Sequence, residues 1–167
     1  MEDKYVNKAY AKVIQTVINT LTFSEIHTGL AMFEKVAWII HRILWFPGGT
    51  TYAEMVAPTD SMGMAVVGND KMSVLDLSDQ AVYDLAYINV AEWGTPANAS
   101  LVHRPFVRDF TGLPGKGLIV PPRPIYMAFI TEGFAAVAQA AVRIEFTYKK
   151  LKAEEYWELV EATRIIE

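Results

Sequence analysis

The sequence predicts an all-β fold, an antiparallel β-sandwich of about eight short strands with a short C-terminal helix. The clearest strand covers residues 142–149, where apolar and polar side chains alternate. A period of two is typical of a strand with one buried and one solvated face. Glycine and proline turns divide much of the remaining chain into similar short apolar segments. Helical spacing is clear only near the C-terminus, at residues 153–165.

The first apolar segment, residues 10–23, fits both secondary-structure patterns. Val13, Val17 and Leu21 follow helical spacing, whereas the density of β-branched residues favours a strand. We favour the strand, although the sequence leaves the choice between helix and strand open. Residues 23–33 contain Gly29 and are interpreted as a connection with a helical turn that starts at Ser24.

The later strands are predicted from composition and from the turn residues between them. Residues 36–46 are apolar at nearly every position, as expected of a strand that is covered on both faces. Pro105 interrupts the segment 100–107, which is therefore expected at a sheet edge. The predicted strands after the first segment are 36–46, 62–67, 74–77, 85–90, 100–107, 118–120, 125–131 and 137–149.

Length and composition predict a single β-sandwich domain over residues 1–167, with an N-terminal arm at residues 1–9. Hydrophobic residues make up 52% of the chain and charged residues 20%, below the usual share of about 25%. A chain of this size buries roughly 68–70% of its unfolded surface. The apolar excess therefore indicates a large core, or a surface that other subunits cover, since monomers rarely expose large apolar patches.

The charge balance argues against strong nucleic-acid binding by this chain. The net charge is −4, whereas phosphate contacts need clustered lysine and arginine. The densest basic cluster, residues 149–152, is followed at once by Glu154 and Glu155 and is interpreted as a solvated helix start. The absence of cysteine excludes disulfides and thiolate metal sites. Residues 125–142 include Glu132 and Gly133 and are not expected to span a membrane.

No residue pattern in the sequence indicates a catalytic site. The three histidines, His27, His41 and His103, are far apart in the sequence, and none has a second histidine at ligand spacing. Residues 112–117 resemble a phosphate-binding loop, but no serine or threonine follows Lys116. We therefore expect no catalytic residues, no cofactor-binding residues and no metal ligands, and we do not expect an enzyme.

The tryptophans are the strongest candidates for a role at a subunit interface. Trp38 and Trp45 lie an odd number of residues apart in one predicted strand, so they are expected on opposite faces. One would enter the core, and the other would need cover from elsewhere, for example from a neighbouring subunit. Aromatic residues are enriched in interface cores. The predicted interface residues are Trp38, Trp45, Trp93, Tyr156, Trp157 and Val160.

Three segments together resemble the single jelly-roll capsid proteins of icosahedral viruses. They are the strand end at residues 19–23, the proline corner at residues 121–124 and the final strand at residues 142–148. The likeness lies in architecture and implies a jelly-roll-like sandwich of two four-stranded sheets in a shell subunit. It further implies a virion location, with assembly in the host cytoplasm. Its partners would be copies of itself, with other capsid proteins or an internal membrane as further contacts.

The N-terminus departs from the pattern of many small RNA-virus coat proteins, which have an arginine-rich arm. The first twelve residues carry only Lys4, Lys8 and Lys12, offset by Glu2 and Asp3. Direct genome packaging is therefore not expected, and an archaeal or bacterial virus whose shell contacts a membrane or another protein fits the charge better.

We therefore expect a structural self-assembling protein, a viral capsid or virion-surface subunit of an icosahedral shell. Two alternatives stay open at the level of the sequence. The first is a carbohydrate- or receptor-binding β-sandwich module that uses Trp93 beside Glu92, or Tyr52 near Glu54. The second and more remote alternative is a cupin-like enzyme that uses His41 or His103.

Overall fold

The computed structural model describes residues 6–27, 36–79, 81–92, 99–100, 106–121 and 123–164. These residues form two antiparallel sheets, a two-stranded ribbon and two helices. The strands are β1 Asn7–Ile14, β2 Thr22–Glu25, β3 Val36–Pro47, β4 Ser61–Val67, β5 Val82–Asn89, β6 Ala91–Glu92, β7 Ala99–Ser100, β8 Phe106–Asp109, β9 Leu118–Val120, β10 Tyr126–Glu132 and β11 Gln139–Lys150. The helices are α1 Gly49–Ala53 and α2 Ala153–Arg164.

The strand order is that of an antiparallel ribbon rolled into a sandwich. Strand β1 pairs with β11, β2 with β10, β3 with β8 and β9, and β4 with β5, so the pairs are nested along the chain. Rolling the ribbon brings β11 beside β3 and β10 beside β4. Sheet A then has the order β1-β11-β3-β8, with β9 also on β3, and sheet B has the order β2-β10-β4-β5. This arrangement of eight strand positions is a jelly roll, which confirms the predicted fold class.

The main core lies between the two sheets. Sheet A contributes Val142, Ile144 and Phe146 from β11, and sheet B contributes Met64 and Phe129. All of these side chains are buried, as the alternation of residues 142–149 predicts for its apolar half. Burial of apolar side chains is the main favourable term in folding, so this layer holds the two sheets together.

A second, smaller core explains why every residue of β4 is buried. Ala65 and Val67 point away from the main core, and Met72 and Leu75 of the β4–β5 connection pack over them. The predicted strand at 74–77 is therefore wrong, because this segment is a connection that covers the outer face of sheet B. Side-chain to backbone bonds shape it, such as Ser78 N to Asp76 Oδ1 at 2.8 Å.

A β-bulge in β3 overturns the prediction for the two tryptophans. Glu145 of β11 lies opposite Arg42, but the next residue, Phe146, lies opposite Ile40, which leaves His41 as an extra residue. The extra residue reverses the alternation, so Trp38 and Trp45 point to the same face. Both are buried in the main core, with 3% and 1% of their surface exposed, and Trp38 stacks on Phe146 at 5.2 Å. The expectation of opposite faces was wrong, and neither side chain is left on the surface to meet a neighbour.

The N-terminal region shows how turns divide the segment that the sequence left open. Strand β1 ends at Ile14, a turn follows, and β2 occupies Thr22–Glu25 in place of the helical turn predicted at Ser24. Asn19 adopts a left-handed conformation in this turn, with φ of 54°. The predicted arm at residues 1–9 shares residues 7–9 with β1, and residues 1–5 lie outside the described part of the chain.

Buried polar side chains fasten the turns at one end of the sandwich. Gln15 is buried and accepts bonds from Thr131 Oγ1 at 3.1 Å and from the Ala138 backbone N–H at 3.3 Å. It also donates to the Thr20 carbonyl at 2.8 Å. Thr51 of α1 donates to the Gln139 carbonyl at 2.6 Å. These bonds satisfy groups that would be costly to bury unpaired, and they fix β1 and α1 to the β10–β11 turn.

Candidate assembly surface

The outer face of sheet A carries a row of alternating charges across four strands. The strand register places Lys8 of β1 beside Glu145 of β11, Glu145 beside Arg42 of β3, and Arg42 beside Asp109 of β8. We call Lys8, Glu145, Arg42 and Asp109 the charged row. The Arg42 Nε donates to Asp109 Oδ2 at 3.0 Å, and both side chains are about half exposed. Such surface pairs add little stability, but they fix a plus-minus-plus-minus order on the sheet.

An apolar patch adjoins the charged row on the same face. We define it as Tyr10, Leu44, Phe46, Val107 and Ala141, which share the next two rows of the register with Arg143 and Lys12. Tyr10 is 60% exposed, Val107 50% and Phe46 43%. Exposed apolar residues scattered singly need no explanation, whereas neighbouring ones such as Leu44, Phe46 and Val107 are typical of an interaction site. This patch is the strongest candidate for a functional surface in the described residues.

The alternation along the strands explains why these side chains face outward. In β1 the small or branched residues Ala9, Ala11 and Val13 are buried, which leaves Tyr10 and Ile14 on the solvent side. In β3 the bulge returns Ile43 and Trp45 to the core, so Leu44 and Phe46 point out. The C-terminal half of β3 therefore presents the half-buried Leu44 and the exposed Phe46 on its outer face, next to Arg42.

The pKa of Asp109 is lowered to about 2. The chief cause is the hydrogen bond from the Thr111 hydroxyl, with further contributions from the Thr111 backbone N–H and from Arg42. These donors favour the charged form of the carboxyl group. The Asp109 carboxylate, which is the negative end of the charged row, therefore stays ionised down to a pH near 2.

We expect the Asp109 carboxyl to titrate with a midpoint near 2 rather than near 3.8. Because its folded pKa is depressed, its contacts are fully present above the unfolded pKa and are lost as the pH falls through about 2. An NMR titration of the side-chain carbon measures the midpoint. The Thr111→Val variant should move it upward toward the ordinary value, and an unmoved midpoint would contradict the assigned cause.

His41, the extra residue of the bulge, is engaged in structural bonds. Its Nδ1 lies 2.7 Å from the Lys116 carbonyl and its Nε2 lies 2.9 Å from Thr147 Oγ1. The carbonyl can only accept, so Nδ1 donates to it, and in the neutral imidazole Nε2 then accepts from the hydroxyl. His41 thus fastens the β8–β9 loop to sheet A. Within the described ranges no cluster of histidine and acidic residues could hold a metal ion, and His103 lies outside them.

The other predicted interface residues lie at the C-terminus or outside the described residues. Trp157 of α2 is 58% exposed, and its ring meets that of Tyr156 edge to face at 5.7 Å. Tyr156 is half-buried. Trp93 and the side chain of Val160 are not among the described parts of the chain. Of the four predicted residues whose side chains are described, Trp38 and Trp45 lie together in the core, and Tyr156 and Trp157 lie side by side on α2.

Of the two pairs suggested for sugar binding, Tyr52 and Glu54 are engaged in the fold, whereas Trp93, the neighbour of Glu92, lies outside the described residues. Tyr52 packs against the main core, and burial raises its pKa. The Glu54 carboxylate accepts bonds from the backbone N–H groups of Ala135 and Ala136 at 3.1 and 3.0 Å. Neither group is therefore presented as an open stacking platform with a polar neighbour.

An open cleft of about 550 Å³ lies where the β4–β5 connection meets the segment before β10. Asn69, Asp70, Lys71, Arg123 and Tyr126 line it. Burial and, secondarily, the charges of Asp70 and Glu25 raise the pKa of Tyr126. The cleft mixes both signs of charge, so its electrostatics select no class of ligand.

Comparison with protein-family models gives no match, and comparison with curated proteins gives none either. Neither described helix is long and apolar enough to cross a membrane. The function must therefore be argued from the fold and from the surface of sheet A.

Sequence reasoning missed the residues of the apolar patch. It assigned the interface mainly to aromatic residues because these are enriched in interface cores, but their large apolar surface also favours the core of the domain. The one available signal was the alternation in residues 8–14, which places Tyr10 and Ile14 in phase with Lys8 and Lys12. The neighbours Leu44 and Val107 meet only through the register of β3 and β8.

Proposed function

We propose that the chain is a structural self-assembling protein, a viral capsid or virion-surface subunit that forms a shell with copies of itself. The carrying observation is the exposed apolar patch on sheet A of a domain that already has a complete core. The jelly-roll fold adds support, because capsid proteins are among its main users, together with lectins and cupins. Association of subunits would remove Tyr10, Phe46 and Val107 from water, which is favourable in proportion to the buried apolar area.

The charge distribution favours contacts with proteins or an internal membrane over direct genome packaging. The net charge is −4, and the basic side chains on the outer face of sheet A are interspersed with acidic ones, since Arg42 pairs with Asp109 and Arg143 with Glu145. A nucleic-acid surface would need basic residues gathered on one face. Copies of this chain, and after them other capsid proteins, are the partners that we propose, with the virion as its location and assembly in the host cytoplasm.

No observation on the described residues supports either of the two alternatives. A sugar site built on Tyr52 and Glu54 would need groups that the fold already uses. A cupin-like site built on His41 would need a ligand-bearing histidine inside the sandwich, whereas His41 lies on the outer side of sheet A with both ring nitrogens bonded. The assembly proposal instead rests on side chains that face solvent.

The double substitution Leu44→Asp with Phe46→Asp should abolish assembly without unfolding the domain. It places two charges in the apolar patch, and an interface that buries unpaired charges is strongly disfavoured. Native mass spectrometry and negative-stain microscopy should find oligomers or shells for the wild type and an 18.7 kDa monomer for the variant. Circular dichroism should show that both are folded.

Val74→Asp is the matched control, because Val74 is 65% exposed but lies in the β4–β5 connection, away from sheet A. It should assemble like the wild type. A wild type that stays monomeric at all concentrations would sink the proposed function, and assembly of the double variant would exclude this patch as the interface.

A further inference from the structure

The proposed function does not specify how two copies contact each other. The charged row limits the possible orientations of one copy relative to the other. Two sheets that pack face to face through the same surface are related by a two-fold axis lying in the interface. The two limiting orientations of the axis are along the strands and across them. The two choices bring different residues of the charged row into opposition.

An axis along the strands reverses the strand order of the second copy and keeps every row at its own height. Lys8 of one copy then lies opposite Asp109 of the other. Glu145, which is largely covered and paired with Arg143 of its own chain, lies opposite Arg42, so every position of the row meets one of opposite charge. An axis across the strands that passes through the charged row would place Lys8 on Lys8 and Asp109 on Asp109. Like charges in direct opposition are destabilising, so the charged row selects the first axis.

The rows of the apolar patch agree with the same axis. It places Tyr10 of one copy over Val107 of the other, and it sets the small Ala141 against the large Phe46. The alkyl stem of Arg143 meets Leu44, while its Nη2 stays 3.3 Å from Glu145 Oε1 in its own chain. Small residues opposite large ones allow side chains of two faces to interdigitate.

We propose that two copies pair through the outer faces of sheet A about a two-fold axis parallel to the strands, between β11 and β3. This inference rests on the proposed function, because it names the first contact of the assembly. The face is about 20 Å by 20 Å by strand spacing and rise, or about 400 Å² per copy. A standard stable interface buries about 800 Å² per partner, so the pair alone is weak and gains strength from other contacts in a shell.

A weak pair is best trapped covalently, and the absence of cysteine in the chain makes this direct. Two single-cysteine variants, Tyr10→Cys and Val107→Cys, are prepared separately and mixed with a bis-maleimide linker. Packed sheets lie about 10 Å apart, so the linker should have a reach of about that length. The mixture should give a cross-linked dimer through positions 10 and 107, and either variant alone should give little.

Adding Lys8→Glu to the Tyr10→Cys chain should lower the yield of the mixed dimer about fivefold, because residue 8 then repels Asp109 of the other copy. Lys71→Glu is the matched control, since Lys71 is exposed but lies in the β4–β5 connection, and it should leave the yield unchanged. Self-linked Tyr10→Cys dimers, or no cross-linked product at protein concentrations where wild type assembles, would overturn the pairing. The second result together with intact shells by microscopy would reject this contact while leaving the proposed function standing.

Discussion

Replacing Trp45 by alanine is expected to destabilise the domain by about 3–5 kcal/mol, the usual cost of removing a large aromatic side chain from a core. Trp45 is 1% exposed and lies in the main core between the sheets. The free energy of unfolding of a single domain is only about 5–15 kcal/mol, so the variant should lose a large part of it. Its Tm should fall by about 10 °C or more. Thermal and denaturant unfolding followed by circular dichroism measure both quantities.

Two further tryptophan variants separate core packing from surface effects. Trp157→Ala removes the same side chain where 58% of it is exposed, and it should change stability by less than about 0.5 kcal/mol. Trp45→Phe keeps most of the ring and should cost less than Trp45→Ala, because the Trp45 indole N–H has no acceptor in the described residues. A folded, fully stable Trp45→Ala protein that fails only to assemble would show that Trp45 lies at an interface after all.

Replacing Gln15 by leucine is expected to cost about 2–3 kcal/mol through lost hydrogen bonds rather than lost volume. The leucine would fill a similar space, but the buried Ala138 N–H would lose its acceptor. The Thr131 hydroxyl would lose one of its two acceptors and keep only Asn19 Oδ1. Native-state hydrogen exchange at Ala138 should become faster, and the Tm should fall by several degrees.

A double-mutant cycle with Thr131→Val tests whether the bond network is the cause. Thr131 is fully buried and donates to Gln15 Oε1. If the two side chains act as one network, the double variant should be less destabilised than the sum of the single variants. Strict additivity would show that Gln15 contributes through packing alone.

The burial of the tryptophans in the structure changes the interpretation of the high hydrophobic content. The sequence suggested that the apolar residues exceed what one domain can hide. Most of them are hidden, because the main core takes both Trp38 and Trp45, and because the β4–β5 connection covers β4. The apolar side chains that stay exposed are spread over the surface, for example Val56, Val74 and Trp157, and one group of them lies on sheet A.

Several elements were predictable because their signals are local. The alternation of residues 142–149 gave β11 its buried face, the prolines at 121–124 preceded β10, and the helical spacing after residue 152 gave α2. Strand β9 lies at Leu118–Val120, as predicted. The wrong prediction of a strand at residues 74–77 also has a local cause. Val74 and Leu75 have strand-like composition, but Asx bonds at Asp76 and Asp79 bend the chain there.

By itself, the sequence determined that the chain forms short antiparallel strands with a terminal helix, since periodicity and turn residues act within a few positions. Only the tertiary structure decided which faces are covered. One extra residue at His41 reverses the alternation of β3, and the register across β1, β11, β3 and β8 assembles the charged row from four distant segments. Neither a bulge nor a register between distant strands leaves a trace in the local pattern, because both are set by the packing of the whole sandwich.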